Sequence, residues 1–226
     1  LTETRTLVNF PWNEYHHETR PEVCALDDRH ILLLHNLIHT HRPKHCLEIG
    51  CHKGYSTQVF LIALKYDLIE SLTLVDVRFT QELLRLVHLN PTTSTRTILT
   101  QQDSRTFVKD NQRRFDLAFI DGNHRPEYVT PEVDHFIQAE TPIICLHDTN
   151  LSNLPLPHTD QTGPLRAKNT LQGTPPYLCL EDNQRRPGEA TERGFLTAFR
   201  DLDRLEQSRP HFRQATNLTR AELRPR

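Results

Sequence analysis

The chain has 226 residues, which suits one domain with a sizeable core. Its 27 basic and 29 acidic residues give a formal net charge of -2, which argues against a protein built mainly to coat nucleic acid. There is no run of about 18 apolar residues, so no transmembrane helix is expected, and residues 1–20 lack the apolar core of a signal peptide.

Residues 1–26 read as an irregular arm carrying Pro11, Trp12 and Pro21. Asp27 or Asp28 can cap a helix running through residues 31–38 and ending before Pro43. Strand and helix patterns then alternate. Strands are expected at 45–49, 72–75, 97–100, 115–120 and 143–146. Helices are expected at 56–66, 81–89, 104–111 and 131–139. The apolar runs are short and nearly continuous, as in strands covered on both faces. Successive strand-then-helix units imply a doubly wound, mostly parallel α/β sheet with helices on both faces. The pattern breaks at residues 151–176, where five prolines and two glycines suggest a long loop or lid within a domain spanning 27–200. Residues 177–180 and 194–199 read as two more strands, paired antiparallel, which makes seven. Residues 201–226 read as a charged tail. The five cysteines have no framework spacing, and Cys46, Cys51 and Cys145 fall in or beside strands. They read as reduced core residues of a cytoplasmic protein. The chain contains no methionine, as a processed or trimmed piece would, so removal of a targeting segment stays open.

Ligands of an open α/β sheet bind beyond the carboxyl ends of its strands. Four polar clusters fall there: 48–54, Asp76, 121–124 and 147–150. Gly50 and Gly54 allow a tight turn and close backbone approach, and the helix behind them offers free N–H groups to a carboxylate. The spacing is neither the Gly-x-Gly-x-x-Gly dinucleotide signature nor a phosphate loop.

The run Glu48-Ile49-Gly50-Cys51-His52-Lys53-Gly54-Tyr55-Ser56 resembles the first motif of class I S-adenosylmethionine-dependent methyltransferases, which have a Rossmann-like fold. It is most similar to the catechol-type small-molecule O-methyltransferases. Ile120-Asp121-Gly122-Asn123-His124 and Leu146-His147-Asp148-Thr149 resemble a bacterial group close to the macrocin-type enzymes and so-called cephalosporin hydroxylases. The likeness spans residues 32–150. It implies that Glu48, Gly50 and Gly54 line the methionine part of S-adenosylmethionine, with Ser56 near its carboxylate. Asp76 would bind the ribose hydroxyls, Asp103 and Ser104 would lie by the adenine, and Asp121 would lie near the sulfonium and the acceptor. Metal-dependent members place acids after the fourth and fifth strands, where Asp121 and Asp148 stand, so Mg²⁺ is an open expectation. Those families follow with Asn or a second acid, whereas this chain reads His147-Asp148-Thr149-Asn150, so no third ligand is assigned. Either His124 or His147 could be the base, since imidazole titrates near neutrality.

The expected function is methyl transfer to an oxygen of a small molecule, a sugar or natural product. The expectation is of no membrane partner and no nucleic-acid substrate, with homo-oligomerisation left open. A non-catalytic methyltransferase-like scaffold and a nicotinamide-dinucleotide oxidoreductase are the rivals.

Overall fold

Alternation along the strands decides which side of the sheet each residue faces. The computed structural model describes residues 8, 10–15, 28–150, 162–183 and 193–217. Strands β1 (His45–Ile49), β2 (Ser71–Asp76), β3 (Thr97–Gln101), β4 (Leu117–Ile120), β5 (Ile143–His147), β6 (Leu178–Asp182) and β7 (Phe195–Phe199) form one sheet in the order β3-β2-β1-β4-β5-β7-β6. The first five are mutually parallel, and β7 runs antiparallel to both β5 and β6. Cys46, Leu72, Leu74, Leu117, Phe119, Ile143, Cys145 and Phe195 belong to one buried cluster. Their neighbours Leu47, Ile49, Val75, Ala118, Ile120, Ile144, Leu146 and Leu196 belong to the other. Period-2 alternation of this kind covers both faces with apolar residues.

Helices α1 (Asp28–His41), α2 (Thr57–Lys65), α3 (Gln81–His88) and α8 (Leu202–Asn217) supply side chains to the first cluster. Helices α5 (Ser104–Asp110), α6 (Pro126–Gln138) and α7 (Gly163–Gly173) supply the second, and the short α4 (Pro91–Thr95) follows α3. The helix starts are chemically marked. The Thr80 hydroxyl accepts from the Leu83 N–H at 3.2 Å, Asn90 from Thr92 at 2.9 Å, and Asp103 from Arg105 at 2.9 Å. Such caps are worth about 1 kcal/mol each.

The five parallel strands and the antiparallel β6–β7 pair lie where the sequence places them, within about two residues. The differences are helical. Helix α6 begins at Pro126, not at 131, because proline at a first helical position loses no bond and Pro131 is accommodated in the second turn. Residues 163–173, expected as part of a loop or lid, are α7, with Leu171 and Ala167 buried in the second cluster. Residues 151–161 of that expected lid lie outside the described residues. Residues 202–217, expected as a charged tail, are α8, whose Leu205, Phe212 and Ala215 are buried. The expected arm is anchored at residues 8–15: Phe10 and Tyr15 are buried, and Val8 exchanges two backbone hydrogen bonds with the Asn36 side chain at 2.8 and 3.1 Å. Cys46, Cys51, Cys145 and Cys179 are free thiols. Among the described residues, no helix is long and apolar enough to cross a membrane.

Candidate active site

The turn after β1 is shaped by what it must pass. Gly50 has φ +87°, and a Cβ there would lie 2.3 Å from the Asp121 carbonyl oxygen. Only glycine allows this backbone to cross the β4 loop so closely. Gly54 also has a left-handed φ, +86°. Its N–H donates to the Cys51 carbonyl at 2.7 Å, closing the turn ahead of α2.

Behind the turn, Glu48 is fully buried. Its carboxyl accepts hydrogen bonds from the Ser56 hydroxyl and, at 2.6 Å, from the Thr57 hydroxyl. Burial pushes Glu48 up to about 8, with the two hydroxyls opposing only in part. Glu48 and Ser56 are therefore committed to each other beneath the turn. In front of it, Asp76 Oδ2 accepts the N–H groups of Cys51 at 2.8 Å and His52 at 3.0 Å, while Oδ1 accepts from Arg78 at 3.1 Å. The next residue, Val77, is apolar yet 65% exposed. Asp103 caps α5 and pairs with the Arg105 guanidinium at 3.1 Å, which holds its carboxyl low. Arg105 also lies 4.0 Å over the Tyr128 ring.

The third group gathers at the ends of β4 and β5. Ring atom Nδ1 of His147 lies 3.1 Å from Asp121 Oδ1 and 3.4 Å from Asp148 Oδ1. His124 Nε2 lies 3.3 Å from Asp148 Oδ2 and 3.9 Å from Asp121 Oδ1. Asp148 holds a left-handed φ of 57°, unusual for a non-glycine residue. Burial alone would raise Asp121, but the charge of His147 and the hydrogen bonds from His124 and His147 hold it well below the carboxylate range. Burial would lower His147, yet Asp148 and Asp121 raise it to about 10. His124 is raised too, its burial outweighed by Asp121 and Asp148. Asp121, His124 and Asp148 can each offer one ligand atom, all within 4.8 Å of one another. The structure thus supplies a third donor, His124, where the sequence after Asp148 offered none.

Several residues near the site were not foreseen. His30 of α1 places Nδ1 3.1 Å from His147 Nε2, and Asp182 of β6 lies behind it. Glu132 of α6 is fully buried and pushed up to about 7 by burial, with Ser104 beside it. No local spacing links any of these to the strand-end clusters. The histidine–acid sequence at 147–148 is the only signal that could have raised the question of what lies behind it.

Residues 47–149 match a family model described as a methyltransferase domain. No curated protein matches the chain. Among solved structures, the O-methyltransferase TomG of Streptomyces achromogenes, involved in tomaymycin synthesis and solved with S-adenosylmethionine, is similar with a TM-score of 0.63 and 19% identity. That match covers 79% of this chain and 82% of TomG. An O-methyltransferase of Bacillus cereus, solved with S-adenosylhomocysteine, matches with a TM-score of 0.52 and 15% identity over 83% and 85% of the two chains. An rRNA methylase of Streptococcus thermophilus matches with a TM-score of 0.54 and 8% identity over 81% and 98%. At these identities the likeness is one of fold. The matched methyltransferase domain runs from β1 past the end of β5 and takes in the glycine turn, Asp76, Asp103 and the Asp121–His124–Asp148 group.

Proposed function

We propose that the protein transfers a methyl group from S-adenosylmethionine to a hydroxyl oxygen of a small molecule, a sugar or natural product. The observation that carries this reading is the meeting of the glycine turn, Asp76 and the Asp121–His124–Asp148 group at one edge of one sheet. TomG, with its role in tomaymycin synthesis, supports the small-molecule class.

The residues present fit the cofactor. Gly50 and Gly54 keep the turn free of side chains beside the methionine part, and Glu48 with Ser56 braces that turn from below. Asp76 retains a lone pair on Oδ1 for a ribose hydroxyl, since that oxygen accepts from Arg78 alone among its described partners. Exposed Val77 offers an apolar surface for the adenine, and Asp103 and Ser104, at the start of α5, would lie beside that base. When bound, S-adenosylmethionine supplies an electrophilic methyl group on a positive sulfur.

The protein's own work is alignment and proton removal. Asp121, held ionised, sets a negative charge at the end of β4, where it would face the sulfur and the acceptor. His124 is the proton acceptor. Its side chain is 22% exposed, and Asp121 and Asp148 flank the imidazolium that would form. His147 has both ring nitrogens engaged, by the two carboxylates and by His30, and is buried. These observations support His124 over His147 as base, with His147 holding the acids.

A second reading is favoured by the three ligand atoms within 4.8 Å. Asp121, Asp148 and His124 would hold a divalent ion, which would lower the pKa of an acceptor hydroxyl. Calorimetric titration with S-adenosylhomocysteine, with and without Mg²⁺, on wild type and Asp76→Ala tests both. Binding by wild type that falls at least tenfold in Asp76→Ala is expected. No binding by folded wild type would overturn the methyltransferase reading in favour of a scaffold or a dinucleotide enzyme. Heat released by Mg²⁺ in wild type but not in Asp148→Asn would favour the metal reading over the metal-free base.

A further inference from the structure

Three residues from three strands stand in one row. In the β5–β7 register His147 faces Phe195, and in the β6–β7 register Phe195 faces Asp182. Cross-strand partners point to the same side of a sheet. Phe195 packs in the cluster under α1, so His147 and Asp182 also point toward that helix. The ring of His30, from the first turn of α1, lies across this row. It stacks on Phe195 with centroids 5.2 Å apart and planes 28° apart. Its Nδ1 is 3.1 Å from His147 Nε2, and its Nε2 is 3.5 Å from Asp182 Oδ2. Arg29 forms an ion pair with the same Asp182 oxygen. Exposure of the Arg29, His30, Asp182 and His147 side chains is 5% or less.

We infer that His30, held by Asp182, is a positioning residue that fixes the ring of His147 and through it the Asp121 and Asp148 carboxylates. The argument is one of hydrogen placement. Among the described residues, Nδ1 of His147 faces only carboxylate oxygens, so it carries a hydrogen and donates. The 3.1 Å contact of His147 Nε2 with His30 Nδ1 needs one hydrogen between them, donated by His147 as an imidazolium whose charge the Asp121 and Asp148 carboxylates balance. The opposite edge of His30 faces an acid, so His30 carries its hydrogen there. Stacking on Phe195 fixes the plane of His30, and the two ring-to-ring atoms fix the plane of His147. Outer partners of this kind orient the groups that act on a ligand. The inference rests on Asp121, His124 and Asp148 being the reacting centre, but its test does not use the cofactor.

Nitrogen-15 NMR of histidine-labelled protein reads the contact directly. Wild type should show a scalar coupling between His30 Nδ1 and His147 Nε2 across their shared hydrogen. In His30→Ala that coupling is lost, and the carboxyl carbon signals of Asp121 and Asp148 shift while the amide signals of β2 and α3 stay in place. His30→Gln, which keeps a polar group near His147 Nε2, should return the carboxyl signals toward wild type. Asp182→Asn should move the His147 ring signals although Asp182 does not touch that ring. No coupling in wild type would overturn the inference. So would unmoved Asp121 and Asp148 signals in His30→Ala with the amide spectrum intact. If His30→Ala does not fold, wild type and His30→Gln decide on the same signals. Failure of S-adenosylhomocysteine to bind would remove the methyltransferase reading and leave this result standing.

Discussion

Glu48 and Asp121 are both acids at the carboxyl edge of neighbouring parallel strands, and they are held in opposite states. Glu48 meets hydroxyls, which donate hydrogen bonds but bring no charge, and burial wins: its carboxyl rises to about 8. Asp121 meets His147 and His124, and their charge wins: its carboxyl is held below the ordinary range. Burial alone does not decide the charge of a strand-end acid; the charge of its nearest partner does. In the β1–β2 half of the edge, therefore, acids meet backbone N–H groups, at Asp76, and neutral hydroxyls, at Glu48. The β4–β5 half is an alternation of carboxylates and imidazoles, extended by His30, Asp182 and Arg29.

Breaking the first half should have the largest effect. Gly50→Ala puts a Cβ 2.3 Å from a backbone oxygen at a left-handed φ, so neither loop can yield cheaply. A loss of about 4 kcal/mol or more in urea unfolding is expected, together with loss of S-adenosylhomocysteine binding. A folded alanine variant that binds normally would show that the crossing of the two loops is not needed.

Breaking the second half should cost less. Asp148→Asn keeps the shape but removes one of two charges facing His147, and a loss of roughly 3 kcal/mol at neutral pH is expected. S-adenosylhomocysteine affinity should change little, because Asp76 and the glycine turn are untouched. An equal loss of affinity in both variants would erase the division between the halves.

The smallest effect sharpens the comparison. Glu48 has an ordinary value of 4.5 in the unfolded chain and about 8 in the folded one. Between those values the unfolded chain has released its proton and the folded one has kept it. Stability contributed at this site therefore falls as pH rises through that window. Glu48→Gln carries no proton to lose, so its stability relative to wild type should improve by roughly 1 kcal/mol from pH 5 to pH 6. A Gln variant whose urea midpoint tracks wild type at both pH values would mean that Glu48 is ionised in the folded protein.

The strands were legible because continuous apolar runs such as Ile143–Leu146 fit a sheet covered twice, and the second, fourth and fifth run straight into Asp76, Asp121 and His147. The clusters at 48–54, 76, 121–124 and 147–148 follow from that placement. Helix α7 was hidden by Pro164, Pro175 and Pro176, although Pro164 stands at a helix start where its missing N–H costs nothing. Helix α8 was hidden by its charge: only Leu205, Phe212 and Ala215 give it an apolar side, with Pro210 interrupting. The contact of His30 with His147 spans 117 positions, and that of His30 with Asp182 still more. Each depends on strand register and on where α1 crosses the sheet, neither of which a local pattern encodes.

The interior place of β7 also bears on how the protein is made. Strands β5 and β6 are separated by β7, which follows both in the chain. During synthesis the first five strands can pair as they emerge, but β6 has no sheet neighbour until residues 195–199 have left the ribosome. Asp182 can take its place behind His30 only then, so the acidic and imidazole centre is completed late, after the half that meets the cofactor has already formed.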